Sequence, residues 1–497
     1  MDGALDAISA VIEVIWGVPL FIIVAGIGLY FTIRMKGFQV AKIGYIFRNT
    51  VGTLFGKNKK DTSGEGSLKS LHVAMTVLSG TLGAGSIAGV ATAIAIGGPG
   101  AVFWMWVTAA LGMLTKMVEV TLGLYYRRRG DNGEYYGGPM FYIRRGLGSK
   151  WGPLAVTYAV ALFILVVCDA GFVQTNTMAS ILSQRFEIPV WATGLFIIVV
   201  GAVLVFRGVK ALGMFATYVL PVIALCYIVG ALWVTLAHIT AVPQALHDIV
   251  VYAFAPHPAV GGFVGSTIVL AMSKGISRGI FANEAGMGTS ATVHATASVD
   301  HPIRQGMWGT LEVFVVAFIT CTVTALAVLT SGLWSTKEHE GINIAFAALD
   351  TSWHPTLVTV LSFGTSLIMF TSYLGSFLRF RATLDYLFGE KAEVYLRWLF
   401  FVPPMIAVNM EVPWIWLMAD AAVGLLIIPN VIALFMLRKV FMKLFQDWIK
   451  RDKLPEGQTM PNPWKELDGH TGLMTAKEAA IRSWPGLGIR CYRGNVG

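Results

Sequence analysis

Two stretches of this 497-residue chain place glycines where a helix buried in hydrocarbon can least accept them. Leu78 to Ala91 reads LSGTLGAGSIAGVA, with Gly80, Gly83, Gly85 and Gly89, and Ser273 to Gly288 reads SKGISRGIFANEAGMG, with Gly275, Gly279, Gly286 and Gly288. Glycine in a helix interior costs about 1 kcal/mol, and backbone groups left unpaired in hydrocarbon cost several more. Both stretches lie inside long apolar runs. They therefore predict helices that break at mid-membrane and turn the released backbone toward a polar cavity. Close packing of neighbouring helices through small residues is the structural alternative.

Hydrophobic residues make up 55% of the sequence and charged residues 13%, about half the 25% charge of an average soluble domain. A helical span of a lipid bilayer needs about 20 apolar residues. Eleven runs qualify, over 11–33, 71–97, 101–125, 152–182, 190–206, 212–236, 263–290, 307–334, 356–380, 394–410 and 413–437. The first follows Asp2 and Asp6 with no basic segment and no small-residue cleavage site, so it is expected to be a retained span and not a signal peptide. With the N-terminus outside, the inward segments hold 32 of the 37 Lys and Arg residues, counting Arg379 and Arg397 with the flanks of the loop 381–393. Only Arg185 and Lys337 fall outside, and Lys116, Lys274 and Arg278 fall within spans. The positive-inside rule thus predicts N-terminus out and C-terminus cytoplasmic, and it accounts for the net charge of +9 without a nucleic-acid partner. Cys168, Cys226, Cys321 and Cys491 form no CxxC pair, which excludes a zinc site or disulfide framework. No HExxH or GxSxG motif marks an embedded enzyme, no single pore-lining repeat marks a channel, and no nucleotide-binding loop, transition-metal site or organic cofactor is expected.

Counting spans divides the chain into an extra helix with a basic cytoplasmic loop (1–70), a first block of five spans (71–236), an extracellular loop (237–262), a second block of five (263–437) and a cytoplasmic tail (438–497) with a short helix near Ala476 to Arg482. Five is odd, so the second block has the opposite orientation, and each block opens on a glycine-broken helix. Inverted blocks with discontinuous first helices are the plan of LeuT-type secondary transporters, whose substrate sits at the midplane between the breaks. The expected fold is an all-α polytopic membrane protein of eleven transmembrane helices, a LeuT-like 5+5 inverted repeat preceded by one extra N-terminal helix.

The longer motifs carry a resemblance. IAGVATAIAIGGPGAVFWMWVTAALGM from Ile87 to Met113, GGPMFYIRRGLG from Gly137 to Gly148, RGIFANEAGMG from Arg278 to Gly288, and the run from Phe314 to Leu326 ending in CTVTAL resemble the alanine or glycine:cation symporter family of prokaryotic amino-acid carriers, over about residues 10–445. The resemblance implies a carrier of the prokaryotic inner membrane that imports an amino acid or similar small zwitterion by sodium symport with alternating access. It implies that the amides of Ala84, Gly85 and Ser86, at the start of the half-helix after the break, hold the substrate carboxylate, because the helix dipole there favours an anion. Thr81, Gly83, Gln174, Ser273, Lys274, Gly275, Ser372 and Ser376 are the other implied pocket positions. The carbonyls released before the break, those of Ser79, Thr81 and Leu82, suit a cation. Sodium prefers hard oxygen donors, and in MFTSYLGS from Met369 to Ser376 the adjacent hydroxyls of Thr371 and Ser372 are implied to complete a sodium shell with Ser79, Leu82 and Ile368. Bonding of those hydroxyls back to their own helix is the alternative.

Several positions depart from the family pattern. Where the family typically reads Gly-Thr-Gly-Asn, this chain has Gly83-Ala84-Gly85-Ser86, and where a Phe is closely followed by Asp-Thr it has Phe314 and then Val316-Ala317. Both changes remove oxygen or amide ligands, which argues against a second sodium site built on them. Ser376 stands where a Trp usually follows the glycine now at 375. That exchange empties on the order of 100 Å³ of pocket wall and predicts a substrate larger or more polar than alanine, unless Phe370, Tyr373 or Phe377 fills the space.

Ionisable residues inside spans are functional suspects. Asp169, with Asn176 seven residues on and expected on the same face, is read as a group that meets a substrate ammonium or a proton, or else as part of a buried structural pair. Lys274, unexpected in the family, is placed with Arg278 at the second break, where an ammonium replaces a missing cation; Arg278 is read as a gate residue paired with Glu284. Lys116 and Glu119, three residues apart, predict a structural ion pair. His294 and His301 are read as polar surface of an inner loop, with pH sensitivity as the sharper alternative. Together the departures motivate a second hypothesis, a proton-coupled or exchange-type carrier for a larger or acidic amino-acid-like substrate.

Overall fold

A computed structural model describes residues 18–54, 66–131, 133–255, 268–336 and 338–452. The start of the first apolar run, residues 256–262 of the expected extracellular loop, the opening of the second block and the tail beyond 452, with its expected short helix, lie outside the described residues. Two compact units divide the chain, 1–441 and 442–497, and the first contains the helical body.

Apolar sequence becomes helix here because only a helix satisfies its own backbone within one segment. Helix α1 (Val18–Arg34) leaves Ile22, Leu29 and Ile33 exposed, a face that suits lipid and not water. Among the described residues six helices are long and apolar enough to cross a membrane: Gly100–Tyr125, Ser149–Phe186, Leu212–Ala237, Pro302–Ser331, Pro355–Phe388 and Val412–Asp452. The chain is an all-helical membrane protein with several long apolar helices.

Both glycine-rich runs break. Helix α2 (Ser70–Thr81) ends, residues 82–87 leave the helical path, and α3 (Ala88–Gly97) resumes. Gly98, at φ 73°, then turns the chain into α4 (Gly100–Tyr125), where a Cβ on Gly100 would lie 2.1 Å from the Tyr252 carbonyl oxygen. A continuous helix α5 (Gly152–Val166), a π-helical segment (Val167–Gln174) and α6 (Thr175–Phe186) follow, then α7 (Val190–Phe206) and α8 (Val209–Ala237).

The second break is shorter than the glycine pattern predicts. Helix α9 (Ile268–Asn283) runs unbroken through Gly275 and Gly279, and only at Glu284, Gly286 and Gly288, all at positive φ, does it stop before α10 (Thr289–His294). Left-handed residues end helices in this way. Gly275 serves the alternative purpose: a Cβ there would stand 2.3 Å from the Ala101 carbonyl oxygen of α4.

Helix α11 (Pro302–Val313), a second π segment (Phe314–Cys321) and α12 (Thr322–Ser331) lead through α13 (Ile342–Asp350) to α14 (Pro355–Phe388), which runs eight residues past the expected span. The run at 394–410 is not one helix. It divides into Glu390–Leu396, a tight turn Arg397–Phe401 and α15 (Pro403–Ala407), because Pro403 and Pro404 supply no N–H to a preceding turn. Helix α16 (Val412–Asp452) completes the described chain.

Among the described residues, four two-residue strands join the helices. β1 (Leu68–Lys69), immediately before α2, pairs in parallel with β4 (Ala297–Ser298), just after α10. β2 (Arg128–Arg129) and β3 (Tyr135–Tyr136) form an antiparallel hairpin after α4.

Candidate functional site

The first break, the π segment and α14 meet at one buried point. The amide of Ala84, released by the break, donates to the Gln174 side-chain oxygen at 3.1 Å, and the same carboxamide donates through Nε2 to Asp169 Oδ1 at 2.9 Å. Gly83 is needed for this approach, since a Cβ there would lie 2.7 Å from Gln174 Oε1 and 2.9 Å from Ser372 Oγ. Ala84, Ser86, Gln174, Ser372 and Ser376 are all buried. Ser86 Oγ closes the turn on the Gly83 carbonyl at 3.4 Å, Thr81 bonds back to Val77 and Leu78, and Gly85 lies against Ala282 at the foot of α9.

The π segment explains why Asp169 and Gln174 face this point together. One extra residue per turn rotates the helix face, so Asp169 and Gln174, five apart, meet, whereas Asn176 turns away and donates to the carbonyls of Ala407 and Met410 at 3.1 and 3.0 Å. The expectation that Asn176 shares the face of Asp169 fails for that reason.

The oxygens assigned to sodium lie at the contact of α2 with α14. Ser372 Oγ donates to the Gly80 carbonyl at 3.3 Å, and Ser79 Oγ lies 2.7 Å from the Thr76 carbonyl and 3.5 Å from that of Thr371. Thr371 bonds back to Ile368 at 2.8 Å, and Leu82, the residue at the end of α2, is buried beside them. Thr371 and Ser372 keep hydroxyl lone pairs with which a hard cation could be met.

Arg379, which the sequence reading left in a loop flank, stands one turn beyond Ser376. Its Nη2 donates to Ser376 Oγ at 2.7 Å, its Nη1 reaches Glu284 Oε1 at 2.8 Å, and Asp169 Oδ2 lies 3.7 Å away. The space opened by the small side chain at 376 is therefore taken by a guanidinium. Phe370 packs on Phe196, Tyr373 donates to the Phe400 carbonyl, and Phe377 lies edge-on to Phe400.

Four expected placements are corrected. Ser273, Lys274 and Gly275 stand nine or more residues before the break, about 14 Å along an intact helix at 1.5 Å per residue, so they do not meet the first break. Arg278 pairs with Asp420, not Glu284, through two bonds of 2.7 and 3.1 Å, and its guanidinium lies 4.1 Å from the Trp416 ring centre. Glu284 instead holds Arg379 and accepts from Thr289 and Ser290 at 2.8 and 2.7 Å. Lys116 turns from Glu119 to Glu312 of α11 at 3.4 Å and donates to the Asn283 carbonyl at 2.9 Å, while Glu119 accepts from Asn430 at 2.5 Å. His294 and His301 are buried, not surface.

A cavity of about 320 Å³ descends between α6, α13 and the start of α16. Asn176, Ser180, Glu338 and Asn343 are among its polar lining residues, and Ala88 and Trp416 form part of its wall. At the opposite end the hairpin β2–β3 is tied to α14 by Arg128–Asp385 and Arg381–Glu134.

An uncharacterized transporter of Haemophilus influenzae is 38% identical over 454 residues, 90% of this chain and 96% of that protein. The sodium/alanine symporter AgcS of Methanococcus maripaludis is 31% identical over 438 residues, 87% of this chain and 94% of that protein. Among solved structures, MhsT in complex with L-phenylalanine shares the fold at 15% identity, with a TM-score of 0.53 over 84% of this chain and 98% of that one. The sequence profile of the sodium:alanine symporter family matches residues 1–461. A chain with two broken helices meeting a buried Asp–Arg–Glu cluster, and matched from end to end of its helical body, is a member of the sodium:alanine symporter family, a transporter and not an enzyme.

Proposed function

We propose that this chain imports a small neutral amino acid with sodium, by alternating access around the two breaks. One observation carries the reading. The Gln174 carboxamide spans the Ala84 amide and the Asp169 carboxylate, offering oxygen to a donor and nitrogen to an acceptor just as the carboxylate and ammonium of an α-amino acid would. Substrate takes over those two poles, its carboxylate on the amides of Ala84, Gly85 and Ser86, its ammonium on Asp169, as Gln174 withdraws. Sodium is held by the Ser79, Leu82 and Ile368 carbonyls with the Thr371 and Ser372 hydroxyls. Eleven spans in a 5+5 inverted arrangement, N-terminus outside and C-terminus cytoplasmic, complete the proposal.

Charge narrows the substrate. Asp169 and Glu284 face a single Arg379, so the buried cluster already holds an excess negative charge, and a second anion on the substrate side chain would add to it at low dielectric. An acidic substrate is disfavoured. The same arginine supports a second reading, a carrier in which this tethered cation stands in for sodium and coupling is by exchange or protons.

Thermal unfolding of the purified chain against a panel of amino acids, each in sodium and in choline, separates the two, since a ligand of the folded state raises the midpoint by mass action. Stabilisation by a neutral amino acid that requires sodium is the expected result. Stabilisation indifferent to sodium favours the second reading, and no response to any amino acid in either salt overturns both.

A further inference from the structure

Away from the substrate poles, α4, α10 and α11 enclose a second cluster of ionisable groups that the transport reading does not use. His294 Nε2 lies 3.2 Å from Glu312 Oε2, and Lys116 Nζ lies 3.4 Å from the same oxygen. Lys116, Glu119, His294, Gln305 and Glu312 are each no more than 1% exposed. Glu312 Oε1 and Glu119 Oε2 are buried with no hydrogen-bond partner among the described residues.

Ionisable groups crowd this point from every side. The elements packed around α10 bring Lys116 and Glu119 on α4, His72 on α2, Arg304 and Glu312 on α11, Arg379, Arg381 and Asp385 on α14, Tyr142, Arg144 and Arg145 on the helix Pro139–Gly146, and Glu284 at the break. Most are committed elsewhere. Arg379 holds Glu284, Arg304 holds Asp300 at 2.6 Å, Arg381 holds Glu134 and Glu393, Asp385 is held by Arg128, and Arg145 donates to the carbonyls of Tyr126 and Arg127. Glu119 is held by Asn430, and Glu312 is met by Lys116 at 3.4 Å and His294 at 3.2 Å. Each positive charge brought to a buried carboxylate offsets the cost of burying it, and beside Lys116 the group in contact with Glu312 that can supply one is His294.

Its remaining nitrogen is built to accept it. His294 Nδ1 lies 2.9 Å from Gln305 Nε2, and Gln305 Oε1 accepts from Ser70 Oγ. In this orientation the amide donates to a bare Nδ1 and the imidazole is neutral, with its N–H toward Glu312. A half-turn of the Gln305 amide presents its oxygen to a protonated Nδ1 and its NH2 to the Ser70 hydroxyl, which accepts as readily as it donates. Both protonation states therefore leave every group in the chain Ser70–Gln305–His294 satisfied. Ser70 is only half-buried and opens α2 next to β1.

We propose that His294 and Glu312 form a proton-binding site. The Nδ1 lone pair takes one proton, delivered from solvent past Ser70 and Gln305, and the resulting imidazolium is held by Glu312; no other bond forms or breaks. The site gives the carrier a bound proton distinct from sodium, on groups that touch neither the substrate poles nor the sodium oxygens, so it stands or falls apart from the reading of the first break.

Deuterium exchange at the Cε1–H of each imidazole, followed by mass spectrometry on the full-length chain in detergent over a range of pH, reads each histidine separately. His294 is expected to show a sigmoid step in rate with pH, and Glu312→Gln to move that step about one pH unit lower, a tenfold loss of proton affinity. Exposed His247 serves as the reference. A His294 rate without a step where His247 shows one overturns the proposal, as does a step that Glu312→Gln leaves in place. Should that variant fail to fold, the wild-type profile decides alone.

Discussion

Arg379 is the residue on which most of the buried electrostatics turns. It holds Glu284 at 2.8 Å, stands 3.7 Å from Asp169 and donates to Ser376, so its loss would leave two carboxylates facing each other. Breaking a buried pair by removing one partner costs about 3–5 kcal/mol. Arg379→Gln should lower the thermal midpoint sharply, and the double variant Arg379→Gln with Asp169→Asn should recover part of the loss, a gain that denaturant titration of both proteins would measure. Gln174→Leu offers a subtler test. It leaves the Ala84 amide and Asp169 without their shared partner, at about 1–3 kcal/mol, and a zwitterion that binds both should return that energy. The stabilisation by substrate is then expected to exceed that of the wild type; an unchanged increment would argue against shared poles. At the cation oxygens, Ser372→Ala is expected to weaken sodium about tenfold with folding intact, as read by sodium titration of the thermal midpoint. Gln174, Thr371 and Ser372 were named from the family resemblance, although none of them lies in its longest motifs. Arg379 was not, since the hydropathy of α14 falls before the helix does, and the arginine was counted with the loop.

At the scale of elements, glycine spacing located both breaks but not their extents. It could not distinguish a glycine that frees the backbone from one that admits a neighbouring helix, because both need the same missing Cβ. Gly275 is of the second kind, with its hydrogen facing the Ala101 carbonyl oxygen. Gly275→Ala should therefore destabilise the chain by about 1–3 kcal/mol through overpacking while leaving the sodium requirement untouched; a change in sodium or substrate affinity without loss of stability would return Gly275 to the pocket. The π segments were invisible for a related reason. An inserted residue leaves composition unchanged and shifts only the phase of the helix, so the face shared by Asp169 and Asn176 was assigned on a period of 3.6 that Val167–Gln174 does not keep. Lys116 shows the corresponding limit for charges: spacing within α4 pointed to Glu119, whereas the partner came from α11.

Across the whole molecule, the cavity and the hairpin end are closed by different means. The cavity wall includes Trp416, over which Arg278 lies and which Asp420 fixes through that arginine. The far end is closed by ion pairs of the β2–β3 hairpin with α14. Asp420→Asn should loosen the wall at Trp416 and admit solvent toward the break. Placed with Ala84→Cys in a Cys226→Ser background, it is expected to raise the labelling rate at position 84 by a maleimide about tenfold, as quantified on the labelled peptide; equal rates would show that the latch does not guard the site.

The small parallel ladder of β1 with β4 has a mechanical consequence. Ser67 and Leu68 donate to the Thr296 carbonyl at 2.9 and 3.0 Å, and β1 passes directly into α2 as β4 follows directly on α10. The two half-helices on this side of the breaks are thus yoked by their main chains at the tips, like a pair of oars on one bar. Neither can swing alone without tearing buried backbone bonds. A displacement of either half-helix at this end therefore pulls on the other through the main chain.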